Sequence, residues 1–241
     1  MTTTLNQRAD AYDKHHVLDN KLTLEWYPRR VVDMSSGPSM LELGLGHGYT
    51  TNYFAQHFSP YRVIDGSPEM IERFRGRFGL PEVDIVESWF ETFECAERYD
   101  NIAMGFVLEH VKDPGLLLRH YCQFLKPGGS IFVAVPNCES LHRRIGNAAG
   151  VLPDLEQLSA ADVDFGHVRY FSLRSLCSLC EASGYQVVKA EGILLKPVTT
   201  AQLGQLNLAP NMLQGLLRVG VDYPELCNSL LLQLKPHAEA A

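Results

Sequence analysis

The densest chemistry in the sequence is a glycine-rich turn, Leu41-Glu42-Leu43-Gly44-Leu45-Gly46-His47-Gly48. It follows a short apolar run and precedes a helical stretch. Glycines at such a junction let the backbone pass close to a ligand and leave helix N-terminal N–H groups free to bind it. The spacing is GxGxG rather than the GxGxxG of dinucleotide enzymes, and a tight strand-to-helix turn would by itself account for it. Asp65 narrows the reading. It stands 21 positions after Gly44, at the end of the apolar run Tyr61-Arg62-Val63-Ile64. An acid there can accept both ribose hydroxyls of a nucleoside. A helix-start aspartate is the alternative, but Ser67 followed by Pro68 already supplies that start. Together the two elements imply an adenosine-containing cofactor in the cleft at the carboxyl ends of parallel strands.

Such a cleft needs alternating strands and helices, and the sequence carries them. Strand-length apolar runs occupy 39–44, 61–65, 82–86, 101–107, 130–135, 184–191 and 226–234. Helical stretches fall at 49–58, from Pro68 onward, and at 114–125, 139–149, 173–183 and 203–219. This βαβα alternation predicts a mostly parallel sheet with helices on both faces and right-handed crossovers. The pattern breaks only at 136–170, rich in Asp and Ala around Pro153, and in the first 35 residues. The expected organisation is one domain, 1–241, with a helical lid at 1–35 and a cap inserted at 136–170.

Composition sets the outer limits. With 241 residues, 46% hydrophobic and 20% charged, the chain is an ordinary globular one and wholesale disorder is excluded. The net charge of -7 argues against a nucleic-acid partner. Six scattered cysteines suit reduced thiols, and Cys177 with Cys180 reads as two small residues on a helix rather than a metal or redox pair. The first eight residues have no apolar core and no run approaches the ~20 residues of a membrane span, so a cytoplasmic protein with no membrane partner is expected.

The motifs also resemble a known family. Glu42 to Gly48 is similar to motif I of the class I S-adenosylmethionine (SAM) dependent methyltransferases. Asp65-Gly66-Ser67-Pro68-Glu69-Met70 resembles their second motif. Val107-Leu108-Glu109-His110-Val111-Lys112-Asp113-Pro114 resembles the segment after strand four, and Leu125-Lys126-Pro127-Gly128-Gly129 the turn before strand five. The resemblance spans about residues 38 to 136. Pro136-Asn137 and Gly166-His167 extend it toward a bacterial branch met in sugar, polysaccharide and secondary-metabolite pathways. It implies a Rossmann-like, seven-stranded sheet with the last strand antiparallel, and SAM as cofactor.

Roles follow residue by residue from the resemblance. Glu42, Gly44, Gly46, Gly48, Tyr49 and Thr50 would cradle the methionine and ribose parts of SAM. Asp65, Gly66 and Ser67 would hold the ribose side. Ser88, Trp89 and Phe90 would flank the adenine, with core packing the competing role for the aromatics. Phe106 and Val107, ending strand four, would lie beneath the sulfonium. Tyr12, Trp26, Tyr27, Tyr49 and Phe106 form the pool for an aromatic face near that cation, and Tyr12 belongs to an N-terminal helix that would lid the cofactor.

The expected step is an in-line displacement of the SAM methyl, in which positioning does most of the work. An acceptor of high pKa would need a base, and His110 and His167 are the candidates. Asn137, just past strand five, is placed to orient a substrate group or the SAM amine. Arg143, Arg144, Arg169 and Lys196 could hold an acidic acceptor or simply be solvated. The ubiquinone O-methyltransferases carry an acid three positions before the glutamate, where this chain has Phe106, so no metal is expected. Adjacent His15 and His16 point different ways on a helix.

Three functions compete. The first is methyl transfer to O or N of a small molecule by a monomer or homodimer. The second is a non-methylating use of SAM on the same fold, closing its own amine onto the homoalanyl carbon to give azetidine-2-carboxylate and methylthioadenosine. The third is a non-catalytic SAM-binding module.

Overall fold

The computed structural model describes residues 17–237. Strands β1 (Met40–Leu43), β2 (Tyr61–Asp65), β3 (Asp84–Glu87), β4 (Tyr99–Gly105), β5 (Leu125–Pro136), β6 (Tyr185–Ile193) and β7 (Ser229–Pro236) form one sheet in the order β3-β2-β1-β4-β5-β7-β6. The pairings from β3 through to β5 are parallel. β7 slots between β5 and β6 and runs antiparallel to both. The strand order reverses direction at β1, next to β4, and a crevice opens there beyond the carboxyl ends.

The central strands are apolar without alternation because both faces are covered. On one face Leu41, Ile102, Val133 and Leu232 pack under α4 (Pro114–Tyr121) and α7 (Leu173–Ala182). On the other, Met40, Ala103, Phe132 and Leu231 pack against α1 (Val17–Met34), α2 (Tyr49–Phe54) and α3 (Pro68–Phe78). Successive residues of one strand thus serve opposite layers, as the strand period of two requires. Ser67 caps α3 as expected, its side chain accepting from the Met70 N–H with Pro68 in the first turn.

The segment after β5 carries two short helices, α5 (Leu141–Ala148) and α6 (Ala160–Phe165). Backbone and side-chain bonds tie it down: the Val168 N–H donates to the Glu109 carbonyl at 2.9 Å, and Arg169 donates to the Lys112 carbonyl at 3.0 Å.

Several expected elements differ. The single helix at 203–219 is two, α8 (Thr200–Gln205) and α9 (Pro210–Gly220). Pro210 explains the break, since proline lacks a donor and disfavours helical backbone in the residue before it. The helix expected to reach Phe58 stops at Phe54. β4 ends at Gly105, not Val107, because Phe106 takes a left-handed conformation with φ 60°. Among the described residues no helix is long and apolar enough to cross a membrane.

Candidate active site

A cavity of about 860 Å³ opens at the strand ends. Its floor is the β1–α2 turn, where Gly44 (φ 84°) and Gly46 (φ 47°) hold positive-φ backbone that L side chains rarely adopt. A Cβ on Gly46 would meet nothing within 4 Å, so that side of the turn is open. Gly48 does different work. A Cβ there would lie 2.4 Å from Phe78, and the residue does not line the cavity. Its neighbour Tyr49 also turns away, accepting from the Arg77 guanidinium at 2.7 Å while that group stacks on its ring. Gly48 and Tyr49, both expected beside the cofactor, stand off the cavity wall in the packing of α2 on α3. Thr50 does reach the wall.

Asp65 ends β2 inside the cavity. Its Oδ2 accepts the Leu45 N–H at 2.9 Å and its Oδ1 the Ser67 N–H at 2.8 Å. Burial raises its carboxyl, and these two N–H groups partly offset that. Each oxygen keeps a further lone pair for a ligand. Gly66, Ser67, Ser88 and Phe90 line the same end, with Trp89 40% exposed beside them.

Glu42 lies beneath the turn. It accepts from Thr51 Oγ1 at 2.8 Å and from the Tyr61 hydroxyl. Burial pushes its carboxyl up to about 8, against those two bonds. Beyond it, the Tyr27 ring meets Phe106 edge-on at 6.0 Å, over Gly105. Burial and the charge of Glu42 keep the Tyr27 phenol neutral, well above its ordinary range.

The cap supplies the opposite wall. His110 and His167 meet edge-to-face at 4.8 Å, and both line the cavity. His110 Nδ1 lies 3.2 Å from the Gly166 carbonyl, and His167 Nδ1 lies 3.1 Å from Asp162 Oδ1. Burial alone would raise the Asp162 carboxyl, but bonds from His167, Ser159 and Tyr170 outweigh it and hold the group well below the usual carboxylate range. Glu109 is fully buried beside them, and neither of its carboxylate oxygens has a hydrogen-bond partner among the described residues. Burial lifts its carboxyl to about 7, with the charge of His167 pulling the other way. Glu109, His110 and His167 bring one ligand atom each within 4.8 Å of one another, a donor set that could hold a divalent cation. Local spacing could not pair Glu109 with His167, because the cap brings them together across 58 positions.

Other candidates are spent on the scaffold. The Asn137 amide donates to the Pro224, Glu225 and Cys227 carbonyls and accepts the Glu139 N–H. Asn137 thus braces the β5–β7 junction from the cavity wall, with its side-chain amide already bonded within the protein. Arg143 donates to the Leu155 and Gln157 carbonyls, Arg144 to Glu139, Arg169 to Lys112, and Lys196 to Asp19. Tyr12, His15 and His16 lie outside the described residues.

A glycine turn after the first strand, an acid closing the second and one cavity across both define an α/β protein built around a nucleoside-bearing cofactor. The family model described as a methyltransferase domain matches residues 16–190, and the chain belongs to that family. The ubiquinone biosynthesis O-methyltransferase of Xylella fastidiosa (strain 9a5c) is 32% identical over 122 residues, 49% of each chain. The chain thus spans about half the length of that curated relative. Among solved structures, a SAM-dependent methyltransferase, possible histamine N-methyltransferase, from Thermotoga maritima aligns with TM-score 0.69 at 18% identity, covering 98% of this chain and 100% of that one. The N-methyltransferase NodS of Bradyrhizobium japonicum WM9, with S-adenosyl-L-homocysteine bound, aligns at 0.56 and 15%, covering 95% and 98%. SAM is the family's cofactor, and the residues fit it: an acid with lone pairs to spare at the ribose position and an open turn beside it.

Proposed function

We propose that the protein transfers the SAM methyl group to O or N of a small-molecule acceptor held between α1 and the cap. The observation that carries this reading is Asp65, bracketed by two backbone N–H groups at a strand end and lining the same cavity as the open Gly46. The acceptor atom attacks the methyl carbon in line, the carbon–sulfur bond breaks onto sulfur, and the acceptor's proton passes to a base. His167 is the better-placed base, because Asp162 Oδ1 stands 3.1 Å from its Nδ1 and orients the ring. Methyl-labelled SAM is the test. Label appearing in an acceptor, with S-adenosylhomocysteine released, supports the reading; a by-product that retains the methyl on sulfur refutes it.

One observation favours a second reading. The four basic residues that could hold an acidic acceptor are all bonded within the protein. SAM could then react alone: its amine displaces sulfur at the homoalanyl carbon, the nitrogen loses a proton, and azetidine-2-carboxylate and methylthioadenosine leave. Incubation with SAM and no acceptor separates the two readings, since only this second one releases methylthioadenosine.

A further inference from the structure

The inner face of α1 carries polar atoms that the fold does not use. Asp19, Thr23 and Tyr27 follow one another at every fourth position, so they share one stripe of the helix. All three are buried, at 6%, 5% and 1% exposure, and all three line the cavity. Asp19 Oδ2 accepts from Lys196 and from Thr200, whereas Asp19 Oδ1, Thr23 Oγ1 and the Tyr27 hydroxyl have no partner among the described residues. Buried polar atoms are nearly always paired. Three such atoms in a row on a cavity wall point to a ligand that pairs them.

Their chemistry says what that ligand offers. A carboxylate oxygen only accepts, so it needs a donor such as an ammonium. The Thr23 and Tyr27 hydroxyls can both donate, so they suit a carboxylate. Successive steps of the stripe are about 6 Å apart along the axis, and an ammonium and a carboxylate on one carbon fit between them. Position agrees. Asn20 lies 3.5 Å from His47 on the glycine turn, and Tyr27 covers Gly105 at the end of β4. The stripe therefore crosses from β1 to β4, away from Asp65 on β2.

We propose that Asp19, Thr23 and Tyr27 bind the zwitterionic amino-acid end of SAM, with Asp19 Oδ1 on the ammonium and the two hydroxyls on the carboxylate. Lys196 and Thr200 are positioning residues, which hold Asp19 by its other oxygen. The proposal rests on SAM being the cofactor and holds for either chemistry above.

Calorimetry with two nucleosides tests it. S-adenosylhomocysteine carries the amino-acid end and methylthioadenosine lacks it. Thr23→Val and Tyr27→Phe keep side-chain shape, and Asp19→Asn removes the charge. Each should weaken S-adenosylhomocysteine about 10-fold and leave methylthioadenosine within about twofold. Unchanged S-adenosylhomocysteine binding would mean that the stripe serves water alone, and equal losses for both nucleosides would mean a merely structural role; either result overturns the proposal. If Asp19→Asn unfolds, shown by a lost thermal transition, the other two variants decide. A parent protein that binds neither nucleoside would bring down the SAM reading itself, which sets that failure apart.

Discussion

Glu42 sits near the end of β1 and Glu109 in the turn that follows the neighbouring β4; both are almost wholly buried and both have raised carboxyls, yet their surroundings are opposite. Glu42 takes bonds from Thr51 and Tyr61, which belong to α2 and β2. Glu109 takes none from the described residues, and its company is the cap's His167. Where partners come from regular elements of the sheet, a buried acid becomes part of the frame. Where they come from an irregular segment, the acid stays available to whatever enters. The same division runs through the cavity, with a braced nucleoside end and a less satisfied end under α1 and the cap.

The contrast breaks most visibly at Glu42. Glu42→Ala strands the Thr51 and Tyr61 hydroxyls and opens a cavity, so it should cost about 4 kcal/mol of unfolding free energy, read from denaturant titrations; a loss below that of an ordinary surface change would show the frame role to be mistaken. Glu109 should act through pH. Its folded carboxyl stays protonated to about 7, against an ordinary value of 4.5. Between those values the unfolded chain holds fewer protons, so stability is whole below 4.5 and drains as pH rises to about 7. The drain should approach 3 kcal/mol. Glu42 loses stability in the same direction up to about 8, so Glu109→Gln should remove only the Glu109 share, and a pH profile with the same total fall in that variant would show that Glu109 contributes none.

At the nucleoside end, Asp65→Ala should weaken S-adenosylhomocysteine by about 2 kcal/mol through lost ribose bonds, an effect that calorimetry reads directly and that an unchanged affinity would refute. Smallest should be Tyr49→Phe. Its hydroxyl serves Arg77 on an exposed face, so nucleoside affinity should stay within about 0.5 kcal/mol of the parent. A larger loss would return Tyr49 to the cavity.

What can be read from residues alone is local or periodic. The strand that ends at Asp65, the Ser67 cap and the glycine turn are legible because a strand, a cap and a turn each carry their signal within a few positions. Phe106 escapes such reading because strand propensity says nothing of a left-handed residue just after the last good strand former. Gly48 and Asn137 have the right types at the right places, but their side of the backbone is settled by Phe78 in one case and by the carbonyls before β7 in the other. The 19, 23, 27 spacing is visible in the sequence; that its polar atoms go unpaired is not, because it depends on what packs against them.

The placement of β7 also bears on the order in which the molecule can assemble. During synthesis from the N-terminus, β1 to β5 can complete their parallel pairings with neighbours already made. β6 then emerges with no partner in the sheet, because the strand that joins it to β5 is still to come. Ile131 must wait for Leu234, a separation that makes this closure the slow, non-local step. Until then the β5 and β6 edges are both bare, and Asn137, whose amide needs the carbonyls of residues 224–227, has nothing to brace.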